Sequence, residues 1–396
     1  MFISGIICEY NPIHLGHIRQ IDETRRMLGA DCGVVCVMSG NFVQRGEPAV
    51  FEKYARAEAA VLSGADLIIE LPTAYALSTA ERFALGGVGL LESMGVVDYI
   101  SFGSESGNIE ELAALADAVS SETVDAAIGE ELKKGLPYAA ARQNAVQRAV
   151  GDCARLLKEP NNILAVEYLK ALKTLNSAIK PITVKRIGAG HDSDEGASAS
   201  AIRRMFKSGG SPWEYVPENA AQVFKREIER GRGPVFAEDI EAAVLSRLRG
   251  ITDGIFENIP DSAEGLGNRL ARYSRTEPGI AEILEKTKTK RYAMSRIRRM
   301  LFCAALGISA EDTQLPPPYI KVLAMNVRGR EIMRLTAKRT QLPRISKSSG
   351  AKRLESEAKE CFIKEASFTD LYILAFKDKA SRTGGAEWKS SPIMCE

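Results

Sequence analysis

Five short apolar runs punctuate the first half of the chain, at residues 2–8, 33–38, 66–71, 97–102 and 182–187. Each is rich in β-branched residues and short, bounded by turn formers, which predicts strands. Stretches at 18–28, 51–62 and 82–92 instead carry the periodicity of helices with one buried stripe. Continuous apolar strands alternating with amphipathic helices predict βαβ units and a parallel sheet buried on both faces. The expected fold class is therefore α/β, a doubly wound, Rossmann-like parallel sheet whose ligands bind beyond the carboxyl ends of the strands. Those ends read Glu9-Tyr-Asn-Pro, Ser39-Gly-Asn, Glu70-Leu-Pro and Ser101-Phe-Gly-Ser-Glu, a polar set suited to a ligand site.

Residues 109–150 read as inserted Ala-rich helices. After about residue 210 the strand signals fade, and helical patterns take over at 239–249, 281–288, 293–306 and 356–364. Gly/Pro clusters at 208–213 and prolines at 316–318 read as joints, and residues 381–396 as a loose tail. This predicts a catalytic domain over 1–208, with a helical insertion at about 109–150, and a mainly helical domain over 209–396.

Composition narrows the class. A chain of 396 residues suits two domains, and none of its apolar runs approaches the ~18 residues of a membrane span. The apolar N-terminus lacks a basic leader and reads as a first strand, not a signal peptide. Seven scattered cysteines without a CxxC pair point to a reducing cytoplasm, with no disulfide framework and no structural metal site. A net charge of +2 is uninformative, but the three histidines are not: two of them, His14 and His17, stand three residues apart.

The run Cys8-Glu9-Tyr10-Asn11-Pro12-Ile-His14-Leu-Gly16-His17 joins the first strand to the first helix. Asn11-Pro12 turns the chain off the strand end, and Gly16, without a Cβ, admits close approach of a phosphate. The helix that follows directs its N-terminal amides and positive dipole end at that phosphate. Three-residue spacing sets both imidazoles on one side of the helix entrance, where they can stabilise charge developing on an α-phosphate or its leaving pyrophosphate. Farther along, residues 286–299 hold seven positive side chains in fourteen and no acid: Lys286, Lys288, Lys290, Arg291, Arg296, Arg298 and Arg299, with Tyr292 among them. Such a patch can neutralise an RNA backbone while the aromatic ring stacks on an unpaired base.

The histidine run resembles the HxGH motif of class I nucleotidyltransferases. The whole chain is similar to the bacterial tRNA(Met) cytidine acetate ligase family through blocks that occur in order from residue 9: EYNPIHLGH, MSGNFVQRGEPA, GADLIIELP, SFGSE, PNNILAVEYL, KRIGAGHD, SASAIR, AEGLGNRL, KRYAMSRIRRML and PPPYIKVLAMN. The resemblance implies an HxGH nucleotidyltransferase domain that binds ATP, followed by a tRNA-binding helical domain. It implies that His14 and His17 are catalytic. It implies an ATP cradle from Ile7, Cys8, Glu9, Tyr10, Asn11 and Pro12, continued by Gly16 and Gln20 on the first helix. Gly103 would admit the adenosine, either Asn161 or Asn162 would touch the nucleotide, and Arg186 would contact phosphate or ribose. Ser198, Ser200 and Arg203 form the second signature, in which the family's usual Thr is Ser200 here and the hydroxyl is kept. Asn41, Gln44, Arg45 and Lys53 are secondary candidates for holding the acyl group or the triphosphate, and Glu70 is a candidate buried partner for one of these cations. His191 is either a ligand contact or a loop anchor.

The reaction so implied joins acetate to ATP as acetyl-adenylate, then acetylates the wobble cytidine of elongator tRNA(Met) to N4-acetylcytidine, with Mg²⁺ a plausible companion of ATP and no membrane or partner protein involved. Two other classes remain open at this point: a nucleotidyltransferase adenylylating a small phosphorylated metabolite, and a non-catalytic, nucleotide-sensing RNA-binding protein.

Overall fold

The computed structural model describes residues 1–186, 198–263 and 265–396. Five parallel strands form the centre: β1 (Ile3–Cys8), β2 (Gly33–Ser39), β5 (Leu67–Leu71), β6 (Tyr99–Ser104) and β7 (Lys180–Lys185). Between β2 and β5 lies a small antiparallel hairpin, β3 (Phe42–Val43) with β4 (Glu47–Pro48). Three later strands, β8 (Ile320–Met325), β9 (Arg344–Ile345) and β10 (Ile393–Met394), complete the count. The main sheet runs β10-β8-β5-β2-β1-β6-β7, with β9 beside β8. The chain thus winds outward from β1 in both directions, and the reversal between β1 and β6 opens a crevice at their carboxyl ends.

Alternation along each strand explains the apolar runs. Val35 and Val37 face one core with Ile3, Ile7, Leu67 and Ile69, while Val34, Cys36, Met38 and Ile68 face another. Both faces are covered, so neither can be polar. Helices Ala80–Ser93 and Pro160–Thr174 cover the first face; Leu15–Leu28, Lys53–Leu62 and Glu218–Glu229 cover the second. Gly5 has no room for a side chain, since a Cβ there would lie 2.4 Å from Leu91. The insertion is helical as expected, over Ile109–Val119, Glu122–Lys133 and Tyr138–Val150.

The expected helices of the second half also form, at Glu241–Gly250, Ile280–Thr287, Met294–Leu306 and Ser356–Tyr372. They enclose a third core, into which the first half inserts Phe42 and Leu77. Two expectations are corrected. The strand signal does not end near 210: β8 inserts antiparallel beside β5, crossing the 208/209 boundary. The final residues are not loose, because Glu387 is fully buried and β10 pairs with β8. Two edges also shift by two residues. β6 and β7 run 99–104 and 180–185, aligned Tyr99 to Lys180, and an outer strand tolerates Lys180 and Pro181, which an apolar pattern passes over.

Candidate active site

A cavity of about 740 Å³ opens at the carboxyl ends of β1, β6 and β7, walled by the start of helix Leu15–Leu28. At its base Tyr10 holds a left-handed backbone (φ 44°) and a cis peptide joins Asn11 to Pro12, turning the chain from strand into helix. Buried Arg56 fixes this turn from behind. Its guanidinium donates to the carbonyl oxygens of Glu9 and Gly40, to Ser39 O at 3.0 Å and to Phe51 O at 2.9 Å, tying β1 to β2. Nothing in the spacing of the motif singles Arg56 out.

His14 is the N-cap of the first helix. Its Nδ1 accepts from the Gly16 amide at 3.1 Å, and His17 Nδ1 accepts from the His14 amide at 3.2 Å. The rings lie 3.8 Å apart, and His17 also meets the Tyr10 ring edge-on at 4.9 Å. A neutral imidazole that accepts at Nδ1 carries its proton at Nε2. Burial, reinforced by the nearby Arg186 charge, lowers His14 to about 4; burial, then His14 and Arg186, lower His17 well below its ordinary value. Near pH 7 both rings are therefore neutral and offer Nε2–H donors at a helix N-terminus. Gly16 has a packing role in addition to the one expected. It does not line the cavity, and a Cβ there would sit 2.9 Å from the His14 ring, so glycine makes room for the cap itself.

The cavity gathers most of the sequence-predicted residues. Ile7, Cys8, Glu9, Tyr10, Asn11 and Gln20 line it from β1 and the first helix. Gly103, Asn161 and Arg186 line it from the far side, and Ser198, Ser200 and Arg203 close it. Pro12 and Asn162 lie behind this surface. Asn162 is fully buried, and its Oδ1 accepts from the amides of Glu105 and Ser106 at 3.0 and 3.1 Å. Of the asparagine pair, then, Asn161 faces the cavity, and neither caps the helix, since Glu159 precedes Pro160 at that position. Ser198 is the N-cap of helix Ala199–Ser208, accepting from Ala201 N at 3.3 Å. Arg203 donates to Asn11 O at 3.0 Å and Ser200 Oγ at 3.2 Å, with Glu47 at 3.2 Å. Burial lowers its pKa while Glu47 and Glu9 oppose that, so the guanidinium is held in place and charged. Asn11 Nδ2 is buried without a protein partner, a donor left over for a ligand oxygen.

Glu105 is a residue that spacing alone missed. It accepts from Asn161 Nδ2 at 2.5 Å and from Asn162 N at 2.9 Å, and lies 4.0 Å from Arg186. Its signal was a glutamate closing a strand-end run, Ser101-Phe-Gly-Ser-Glu. Glu9 accepts from Gln44 N at 2.7 Å, and burial raises its carboxyl despite that bond.

The secondary candidates divide. Gln44 and Arg45 line the cavity. Lys53 does not: it is buried against Glu70 (2.7 Å) and Glu387 (2.6 Å), as Glu70's reading as a buried partner anticipated. Asn41 is buried too, bonded to Lys53 N and Thr369. His191 lies outside the described residues. Among the basic 286–299 residues, Arg298 and Arg299 line the cavity together with Ser295. Tyr292 is buried in the helical core under Arg296, which removes it as an exposed stacking surface. Arg296 is occupied with Asp261 O, and Lys288 with Tyr292 O, whereas Lys290 and Arg291 are exposed. Among the described residues, no group of three or more His, Cys, Asp or Glu side chains is placed to hold a metal ion.

This crevice, with its histidine-capped helix and converging arginines, is that of a nucleotidyl transferase. The chain belongs to the HIGH Nucleotidyl Transferase family, whose model matches residues 1–387, and within it to the tRNA(Met) cytidine acetate ligases. It is 42% identical to the tRNA(Met) cytidine acetate ligase of Caldanaerobacter subterraneus subsp. tengcongensis, over 95% of this chain and 96% of that one. The ligase of Acetivibrio thermocellus is 36% identical, with both chains covered completely. The crystal structure of Thermotoga maritima TmcAL bound with alpha-thio ATP superposes with a TM-score of 0.91 at 34% identity, covering 100% of this chain and 99% of the other. Its apo form gives 0.93 at 33%, with the same coverage.

Proposed function

We propose that this protein is an ATP-dependent ligase that activates acetate and transfers the acetyl group to the wobble cytidine of elongator tRNA(Met). In the first step an acetate oxygen attacks the α-phosphorus of ATP, the bond to the β-phosphate breaks, and acetyl-adenylate and pyrophosphate form. Neutral His14 and His17 donate Nε2–H to the phosphate as its charge shifts, while Arg186, Arg203 and Arg45 balance the pyrophosphate. In the second step the cytidine N4 amine attacks the acetyl carbon, AMP leaves and the nitrogen loses a proton, giving N4-acetylcytidine. An unpaired loop base can be presented to a protein cavity in this way.

The observation that carries this reading is the shared cavity. Arg298 and Arg299 of the helical half meet the same space as the His14/His17 pair, so the basic surface expected to hold RNA adjoins the adenylylation site. Residues 1–208 would do the chemistry and 209–396 would present the tRNA, in the cytoplasm where both substrates are found. None of the described helices is long and apolar enough to cross a membrane. Acetate-dependent ATP–pyrophosphate exchange tests the first step. Exchange with acetate and loss of it in His17→Ala support the reading; exchange only with a phosphorylated acceptor would replace it with metabolite adenylylation.

A further inference from the structure

A second run of unbalanced charge, besides that of residues 286–299, lies away from the cavity. Residues 327–353 contain nine lysines and arginines against one acid, Glu331, a net +8 in a chain whose total is +2. The rest of the protein is therefore net acidic. Several surface cations elsewhere are paired, as Arg226 is with Glu58 and Lys207 with Glu238. In this run only Arg328 reaches an acid among the described residues, Asp66 at 3.8 Å.

The run also builds a shape. A cleft of about 350 Å³ has Val322, Met325, Met333 and Ala337 in its lining, together with Arg330, Arg334, Arg344 and Ser346. All three arginines are exposed. Arg330 and Arg334 stand one turn apart on helix Val327–Thr336, a like-charge spacing that costs helix stability unless an anion relieves it. Guanidinium forks grip phosphate oxygens in pairs, and an apolar lining accepts the sugar or base of the same nucleotide.

We propose that this cleft is a second RNA-binding surface, in which Arg330, Arg334 and Arg344 hold backbone phosphates of the tRNA outside the active site. It rests on the reading that tRNA is the substrate. Its position separates it from the chemistry. Met325 pairs opposite Leu67, the first residue of β5, so the helix that follows begins at the amino ends of the parallel strands, while the cavity opens at their carboxyl ends. The cleft therefore serves affinity for the RNA body and takes no part in adenylate formation.

The test uses the full chain with Arg330, Arg334 and Arg344 changed together to Ala, and separately to Lys. Bulk bacterial tRNA binding is measured across a salt series, alongside acetate-dependent ATP–pyrophosphate exchange. The Ala variant is expected to bind tRNA about tenfold or more weakly at low salt, with a salt slope smaller by about 2–3, since each lost phosphate contact removes about 0.9. Exchange stays within about twofold, the KM for tRNA rises and kcat at saturating tRNA holds; the Lys variant recovers part of the affinity by keeping the charge. Wild-type binding matched by the Ala variant in both affinity and slope overturns the cleft while leaving the ligase reading intact. Failure of the wild type itself to bind tRNA overturns both. Polyglutamate competing as well as RNA of equal charge would overturn the RNA assignment in favour of a general polyanion surface.

Discussion

His14 does two jobs with one ring, capping the helix through Nδ1 and offering Nε2–H to the cavity, and the two can be separated. Asparagine is a good N-cap and cannot reach as far. His14→Asn is therefore expected to unfold within a few degrees of the wild type at neutral pH while losing about 10²-fold or more in adenylate formation, the typical cost of a transition-state donor. Thermal melts and pyrophosphate exchange check the two halves. The depressed pKa values also set a pH dependence. In the unfolded chain the histidines take up protons below about 6.5, whereas folded His14 does so only near 4 and folded His17 is likewise depressed. The unfolded state then binds more protons, so the histidine contribution to stability is complete above about 6.5 and is lost as pH drops toward 4. Each such proton steepens the fall by about 1.4 kcal/mol per pH unit. Glu365, pushed up to about 7 by burial and by Glu70, works in the opposite direction over part of that range. The histidine share is thus read from the difference between wild type and His14→Asn in urea melts from pH 7.5 to 5, where the variant's curve should be flatter. The histidines were legible because the motif sits on a strand–helix junction. Arg56 and Glu105 were not, because their partners are main-chain groups and residues distant in sequence.

At the scale of elements, the join between the halves is an ionic knot that the periodicity conceals. Lys53 from its helix, Glu70 from β5, Lys321 from β8 and Glu387 from the C-terminal segment are each at most 2% exposed. Lys53 reaches Glu70 and Glu387 at 2.7 and 2.6 Å, Lys321 reaches Glu70 at 2.8 Å, and Lys321 also bonds Glu387. Burial opposes the charge on Glu387, yet the two ammonium groups hold its carboxyl below the usual carboxylate range. Removing one member strands the others without water. Glu387→Leu is expected to cost about 3–5 kcal/mol in equilibrium urea unfolding. An unchanged midpoint would mean that the C-terminal segment is not fastened in solution. The knot also explains what the sequence hid. A lysine within an apolar run disguises β8 as something other than a buried strand, and its compensating glutamates are distant: Glu387 lies 66 residues on, and Glu70 lies in the first half of the chain. Of the five parallel strands, β1, β2 and β6 carry no charged residue, and β5 holds only Glu70 near its end, so their pattern was plain, whereas β7 with Lys180 and Pro181 was read two residues late.

For the molecule as a whole, the two halves share a sheet, a core and a cavity. A fragment ending near 208 would lose β8 from the edge of β5 and leave Lys53 and Glu70 without Lys321 and Glu387. It is expected to be insoluble or unfolded, so truncation cannot decide whether the helical half is needed for activity; point variants can. Arg298→Ala and Arg299→Ala, at the cavity, are expected to impair acetyl transfer to tRNA more than pyrophosphate exchange, and comparison of the two rates checks this. The measurement that bears most directly on the central claim is incorporation of radiolabelled acetate into bulk bacterial tRNA by the purified protein with ATP, beside His17→Ala. The account predicts ATP-dependent label in tRNA that the histidine variant abolishes and that digestion assigns to N4-acetylcytidine. Folded, ATP-binding protein that leaves the tRNA unlabelled, or label that persists in His17→Ala, would contradict it.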